Sequence, residues 1–218
     1  MDGNGRWAEK RGLSRIEGHR AGLEAARKII RYLCDLGLDY ITLYSFSTEN
    51  WRRPTDEVKE LLKLTEESLA ADYDELQARG IRLRHLGRLD RLPSGLQRTL
   101  RYTLEMTKNN TGTVLSLAFD YGGRAEIVDA ARRIIKGGLA ADSIDETLFS
   151  RYLYTAGLPD VDLVVRTSGE MRLSNFLLWQ SAYSELYFTD VLWPDFGQAE
   201  LDKALADYSR RERRFGGL

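Results

Sequence analysis

Residues 113–135, TVLSLAFDYGGRAEIVDAARRII, decide the fold. Thr113–Phe119 is an apolar run of the length of a buried strand. A glycine pair follows, and from there apolar residues recur at helical spacing as far as Ile135. A strand that turns straight into a helix is the repeating unit of an α/β protein. The alternation extends in both directions. Upstream, the pattern predicts a helix over Gly18–Leu36, with Leu23, Ala26, Ile29, Ile30 and Leu33 on one face and Gly37 as its stop. A strand follows at Tyr40–Phe46, then a long amphipathic helix after Pro54 that turns Val58, Leu61, Leu62, Leu69, Tyr73 and Leu76 inward and ends near Gly80. Ile81–Gly87 reads as a strand and Ser94–Thr107 as a helix. Downstream, Val161–Glu170 is a strand running into a polar loop, Ser184–Trp193 holds another short strand, and a last helix covers Gln198–Arg213. With no repeat, linker or low-complexity tract, residues 1–218 are expected to form a single domain with a mostly parallel sheet flanked by helices.

Composition narrows the function. The chain has 218 residues, of which 43% are hydrophobic, enough for a core. Lys and Arg number 32 against 33 for Asp and Glu, so nothing draws it globally to nucleic acid and any anion site is local. One cysteine, Cys34, excludes an internal disulfide and a cysteine zinc cluster. No apolar run reaches the ~20 residues of a membrane span, and the start lacks a signal-peptide core. A cytoplasmic protein is expected.

Ligands of parallel sheets bind beyond the carboxyl ends of the strands, and the polar clusters fall there: STENWRRP after the first strand, DYGGR after the third, RTSGEMRLSN after the fourth. The chain opens with MDGNGRWAEKRG. Gly3, Gly5 and Ala8 fit a loose dinucleotide pattern, but its acidic residue would fall near Gly22–Glu24, inside a helix. The glycines still let a backbone approach an anion, and Arg6, Arg15 and His19 add charge. Arg15 and His19, four apart, share a helical face if the helix starts that early. Among phosphate-binding groups Asp2 repels the ligand unless a cation lies between, as Mg²⁺ does with one or two carboxylates and phosphate oxygens. Ser47, Glu49, Asn50, Trp51 and Arg53 could hold a phosphorylated ligand, and Arg166, Arg172 and Ser174 a second anion through bidentate guanidinium contacts. The plainer readings are a solvated turn at the start, Asp2 and Ser47 or Thr48 as turn caps, and the arginines in surface salt bridges. His85, within a strand, and Cys34, on the inner side of a helix, read as structural. A loop such as Asp2–Trp7 normally leaves a strand, so a first strand is expected upstream of this chain.

The blocks MDGNGRWA, GHRAG, LYSFSTENWRRP, YGGRAEIVDA, DLVVRTSGE, RLSNFLLWQSAYSELYFTDVLWPDF and RERRFGG, in that order, resemble the cis-prenyltransferases, the family of bacterial undecaprenyl diphosphate synthase. The resemblance implies a parallel sheet with helices around a hydrophobic tunnel. It implies repeated condensation of isopentenyl diphosphate onto an allylic diphosphate such as farnesyl diphosphate, with cis double bonds and Mg²⁺ as cofactor, to undecaprenyl diphosphate for the cell-wall lipid carrier. By the same resemblance Gly3, Asn4, Gly5, Arg6 and Trp7, with Arg15 and His19, bind the allylic diphosphate. Asp2 is catalytic and binds metal, and Glu185 is a second metal carboxylate. Ser47, Thr48, Glu49, Trp51 and Arg53 bind substrate around Asn50, the proton acceptor. Arg166, Arg172, Leu173 and Ser174 bind isopentenyl diphosphate. A homodimer, paired through the region of SNFLLWQSAYSELYF, is implied, with a terminal Arg214-x-Gly216 motif reaching an active site and transient peripheral contact with the membrane for product release. The alternative is a catalytically inactive subunit of the same fold. The Asp2 loop and the arginines, which such a subunit would be expected to lose, are both present.

Overall fold

A computed structural model describes residues 1–212; the Arg214 and Gly216 motif lies outside the described residues. The chain divides into two compact units: Met1–Asp39 with Asp160–Leu173 and the segment from Gln180 onward, and Tyr40–Pro159 with Ser174–Trp179.

The second unit holds a three-stranded parallel sheet in the order β1 (Tyr40–Ser47), β3 (Val114–Tyr121), β2 (Arg82–Leu86). Central β3 is buried almost throughout, which is why it reads as a near-continuous apolar run rather than an alternating one. The β1–β3 register slips between Tyr44 and Ser47, where polar residues take over. Because the strands are parallel, β1 and β3 end at one edge, so the STENW and DYGG clusters both leave from there. Helix α3 (Thr55–Ala78) begins directly after Pro54, with Asp56 and Glu57 in its first turn, and buries Val58, Leu62, Leu69 and Leu76, as its periodicity predicts. Helix α4 (Ser94–Thr107) packs on it, and α5 (Gly123–Lys136) and the short α6 (Glu146–Ser150) complete the unit.

The first unit carries a second parallel ladder, β4 (Leu163–Arg166) with β5 (Glu185–Phe188). The parallel strands are thus shared between two sheets, and the crossover from β4 to β5 is a series of turns rather than a helix. Beside the ladder lie α1 (Asn4–Glu9), α2 (Arg15–Asp35) and α7 (Gln198–Ser209). Helix α2 starts three residues before the predicted Gly18, because Ser14 and Glu17 form a capping box: the Ser14 N–H donates to Glu17 Oε2 at 2.8 Å and the Glu17 N–H to Ser14 Oγ at 3.4 Å. The early start puts Arg15 and His19 on the helix. Residues 4–9, expected as loop, form a helical turn, and the last helix stops at Ser209, short of Arg213.

Candidate active site

In the first unit Asp2 is held by its backbone. Its N–H donates to Thr167 Oγ1 at 3.0 Å, and its carbonyl accepts from the Thr167 hydroxyl at 2.8 Å and from the Trp193 N–H at 3.0 Å. The carboxylate is therefore free to serve another purpose. It accepts from Arg166 Nη2 at 3.1 Å and lies 3.7 Å from Arg6 Nη2. Partial burial works to raise the Asp2 carboxyl, but the hydrogen bond and charge of Arg166, with the charge of Arg6, hold it below the ordinary carboxylate range. Arg166 ends β4 with its side chain 14% exposed and donates also to the Arg172 carbonyl. Arg6 donates to the Ser168 carbonyl at 3.2 Å and hydroxyl at 2.5 Å and pairs with Glu170 at 3.5 Å. Arg172, 62% exposed, pairs with Glu170. Asp2, Arg6, Arg166 and the Ser168–Arg172 turn thus form one cluster.

Glycines set the fit of that cluster. Gly3 has φ 104°, and a Cβ there would come within 2.8 Å of Leu192 Cδ2. On α2, a Cβ at Gly18 would lie 2.2 Å from the Asn4 carbonyl oxygen and one at Gly22 2.3 Å from Asn4 Oδ1. The GHRAG block is the seat on which α1 rests. Asn4 reaches His19 Nδ1 at 3.5 Å, and Arg15 Nη1 lies 3.8 Å from the position of a Gly5 Cβ. The Trp7 indole N–H donates to Asp195 at 2.7 Å and Arg11 stacks on its ring at 4.3 Å. Glu185 opens β5 and is paired with Arg211 at 2.6 Å; in the ladder it aligns with Leu163, whereas Arg166 aligns with Phe188. Leu173 is half-buried.

In the second unit β1 runs into a 3₁₀ turn, Thr48–Arg52. The Ser47 N–H donates to Asn50 Oδ1 at 3.1 Å, so the amide oxygen of Asn50 is engaged in a cap. The Trp51 indole N–H donates to Asp120 Oδ1 at 2.7 Å, Phe46 meets its ring edge-on at 5.3 Å, and Arg91 lies 5.0 Å from its centroid. Asp120 is 1% exposed, with φ 48°. Arg53 pairs with Glu57 at 3.1 Å. Burial pushes the Glu49 carboxyl up, but its own N–H, Asn175, Ser47 and Thr48 hydrogen-bond to it and hold it below the ordinary range. Ser174 is exposed, with φ 49°. His85 Nε2 donates to the Phe119 carbonyl at 2.9 Å, and burial lowers its pKa, in keeping with a structural role. Among the described residues no three His, Cys, Asp or Glu side chains gather as a metal site.

A family model described as "Putative undecaprenyl diphosphate synthase" matches residues 1–216. The chain belongs to this isoprenyl transferase family. It is 55% identical over 218 residues to the isoprenyl transferase of Fusobacterium nucleatum, covering 100% of this chain and 94% of that protein. It is 51% identical over 222 residues to that of Clostridium perfringens, covering 100% and 88%. Among solved structures, lavandulyl diphosphate synthase from Lavandula x intermedia, in complex with dimethylallyl diphosphate, superposes with a TM-score of 0.95 at 40% identity over 100% of this chain and 95% of that one. A probable undecaprenyl diphosphate synthase from Campylobacter jejuni gives 0.81 at 33% identity over 91% and 93%. The protein is a cis-prenyltransferase enzyme with a parallel α/β fold, and none of its described helices is long and apolar enough to cross a membrane.

Three residues of this isoprenyl transferase escape sequence reasoning. Ser168, at φ 77°, receives Arg6. Asp120 receives Trp51, and Asn175, at φ 66°, bonds Glu49. The readable signal is that Asp120 lies next to the last residue of β3, and Ser168 and Asn175 in the loop that follows β4. Asn and Asp are the residue types that best tolerate a left-handed backbone.

Proposed function

We propose that the enzyme condenses isopentenyl diphosphate repeatedly onto farnesyl diphosphate, with cis double bonds, to give undecaprenyl diphosphate as precursor of the cell-wall lipid carrier. One observation carries this reading: a backbone-anchored, ionised Asp2 shares a cluster with Arg6 and Arg166 at the end of β4. The neighbour that holds dimethylallyl diphosphate supports an allylic diphosphate site in this fold, and the Campylobacter jejuni protein supports the longer product.

In this reading Arg6, Arg15 and His19, with Asn4 and the uncrowded backbone at Gly5, take up the charge of the departing diphosphate. Such preorganised donors are worth several kcal/mol, on the order of 10²–10³ in rate for one donor. Arg166, Arg172, Leu173 and Ser174 hold isopentenyl diphosphate. Its double bond attacks the allylic carbon; a C–C bond forms as the C–O bond breaks, diphosphate leaves with the electron pair, and a proton is lost from the new allyl unit. Holding both partners removes much of the entropic barrier. Asn50 orients the substrate, since an amide is a weak base and its oxygen already accepts the Ser47 N–H. The proton goes to diphosphate or water.

The donor set fits Mg²⁺ arriving with the diphosphate: one half-exposed ionised carboxylate, Asp2, needs phosphate oxygens to complete the shell. When bound, the ion supplies Lewis-acid help to the leaving group. Glu185 would have to exchange Arg211 for the cation to join it. The buried apolar face of α3 supports a hydrophobic tunnel for the growing chain. The whole chain acts as one catalytic domain on the cytoplasmic side, touching the membrane as product leaves, and it pairs as a homodimer. Tyr183, exposed within the SNFLLWQSAYSELYF segment, supports the dimer, although Leu177 and Gln180 of that segment are buried within the chain.

The test is incorporation of labelled isopentenyl diphosphate onto farnesyl diphosphate with Mg²⁺, followed by chromatography of the dephosphorylated products. A ladder ending near eleven isoprene units is expected. No incorporation overturns the condensation, and a main product of three or four units overturns the long chain. Dimethylallyl diphosphate as the preferred primer would replace farnesyl diphosphate.

A further inference from the structure

We infer that Asn175 is a positioning residue that locks Glu49, and with it the Ser47–Arg53 turn, in the geometry used for condensation; the inference rests on the reading proposed above. Three polar groups of Asn175 are engaged, one by the Ser47–Arg53 turn and two by the start of α5. Its amide nitrogen donates to Glu49 Oε1 at 2.8 Å. Its amide oxygen accepts the Arg124 N–H at 2.8 Å. Its backbone carbonyl accepts the Gly123 N–H at 2.8 Å. The last two are N–H groups of the first turn of α5, which have no partner within the helix. The amide orientation is fixed by chemistry, because the flipped form would set oxygen against carboxylate and nitrogen against N–H.

The residue type follows from the task. The site needs a donor and an acceptor on one short planar group, on a backbone at φ 66°. Asparagine supplies all three; aspartate lacks the donor. Space is equally constrained. A Cβ at Gly122 would come within 2.6 Å of Thr48 Oγ1 and 2.8 Å of Asn175 Nδ2, so that glycine lets the three segments meet.

The turn is pinned at three points. Ser47 binds Asn50 and Asp120 binds Trp51, both from strand ends of the same sheet. Asn175 provides the third and is the one that connects the turn to the segment beginning at Ser174. Without it Glu49, at the head of the turn, keeps only local partners, and Asn50 and Trp51 lose their common reference with Ser174.

Asn175→Asp separates this role from simple support. It keeps the acceptor toward Arg124, where a negative charge at a helix start is favourable, removes the donor to Glu49 and sets a second carboxylate against it. The favourable charge at the helix start offsets part of that repulsion, so the thermal midpoint is expected to move little, while kcat falls roughly ten- to a hundredfold, the loss of one charge-assisted hydrogen bond. Glu49→Gln is expected to fall less. The pair Asn175→Asp with Glu49→Gln restores the bond with donor and acceptor exchanged, and should recover at least about tenfold of the lost kcat. Asn175→Asp with wild-type kcat, a loss that merely follows a lowered midpoint, or no recovery in the double variant overturns the positioning role. An inactive wild type in the same assay overturns the functional reading instead.

Discussion

Around Asp2 the side-chain contacts run between opposite charges: Arg166 and Arg6 to Asp2, Arg6 and Arg172 to Glu170. Around Asn50 they run chiefly to neutral groups: an amide to a backbone N–H, an indole to a buried carboxylate, a carboxylate to an amide. In the reading proposed above, the arginines of the first region exchange these carboxylates for a diphosphate, while the bonds of the second region hold the shape of a turn. Ion pairs can be exchanged for another charged partner, whereas directional bonds to backbone and amide groups fix a loop's shape.

Four measurements would break or sharpen that contrast. Asp2→Ala should lower kcat on the order of 10²–10³-fold while the protein still folds, because the loop is anchored through the Asp2 backbone. Near-wild-type rates at saturating Mg²⁺ would make Asp2 a turn cap. Arg166→Ala should raise the KM for isopentenyl diphosphate roughly ten- to a hundredfold, and Arg172→Ala less, since its side chain is far more exposed. Equal effects on the allylic KM would exchange the two anion sites. Gly22→Ala should destabilise by about 1–3 kcal/mol in urea titration, as overpacking against Asn4; an unchanged midpoint would mean α1 moves freely on α2. The smallest effect is with pH. The folded Asp2 pKa lies below the unfolded value of about 3.9. Its pairing with Arg166 therefore stabilises the protein fully above that value and is lost as pH falls through the folded pKa. Asp2→Asn should flatten the stability profile in that acid window only.

The alternation of strands and helices was legible because buried parallel strands carry their own apolar runs: β1, β2 and β3 lie within two residues of Tyr40–Phe46, Ile81–Gly87 and Thr113–Phe119. Helix α1 was not, since six residues give too short a period and its stability comes from glycines on another helix. The division into two sheets was hidden for a related reason, as β4 and β5 have four residues each and partner choice is a matter of tertiary contact. Asp2, Arg6 and Arg166 could be proposed from residue type and position. Asn175 and Asp120 could not, because their partners are distant in sequence. Phe119, at the end of its apolar run, is buried and stacks on Phe46 at 5.1 Å. Trp7, expected at substrate, has its polar edge committed to Asp195.

Ser174, Asn175 and Leu177 all have left-handed backbones, at φ 49°, 66° and 42°. Each such non-glycine residue is disfavoured by about 1–2 kcal/mol, so the segment has no local preference for its own shape. Its stabilising partners, Glu49, Gly123 and Arg124, are far away along the chain, and closing such long loops is entropically expensive before the contacts exist. Such a segment is expected to order only once the sheet edge and the start of α5 are in place, because until then Asn175 has nothing to bind. A chain short of that step is expected to keep its three-stranded sheet while the turn carrying Asn50 lacks its contact with Asn175.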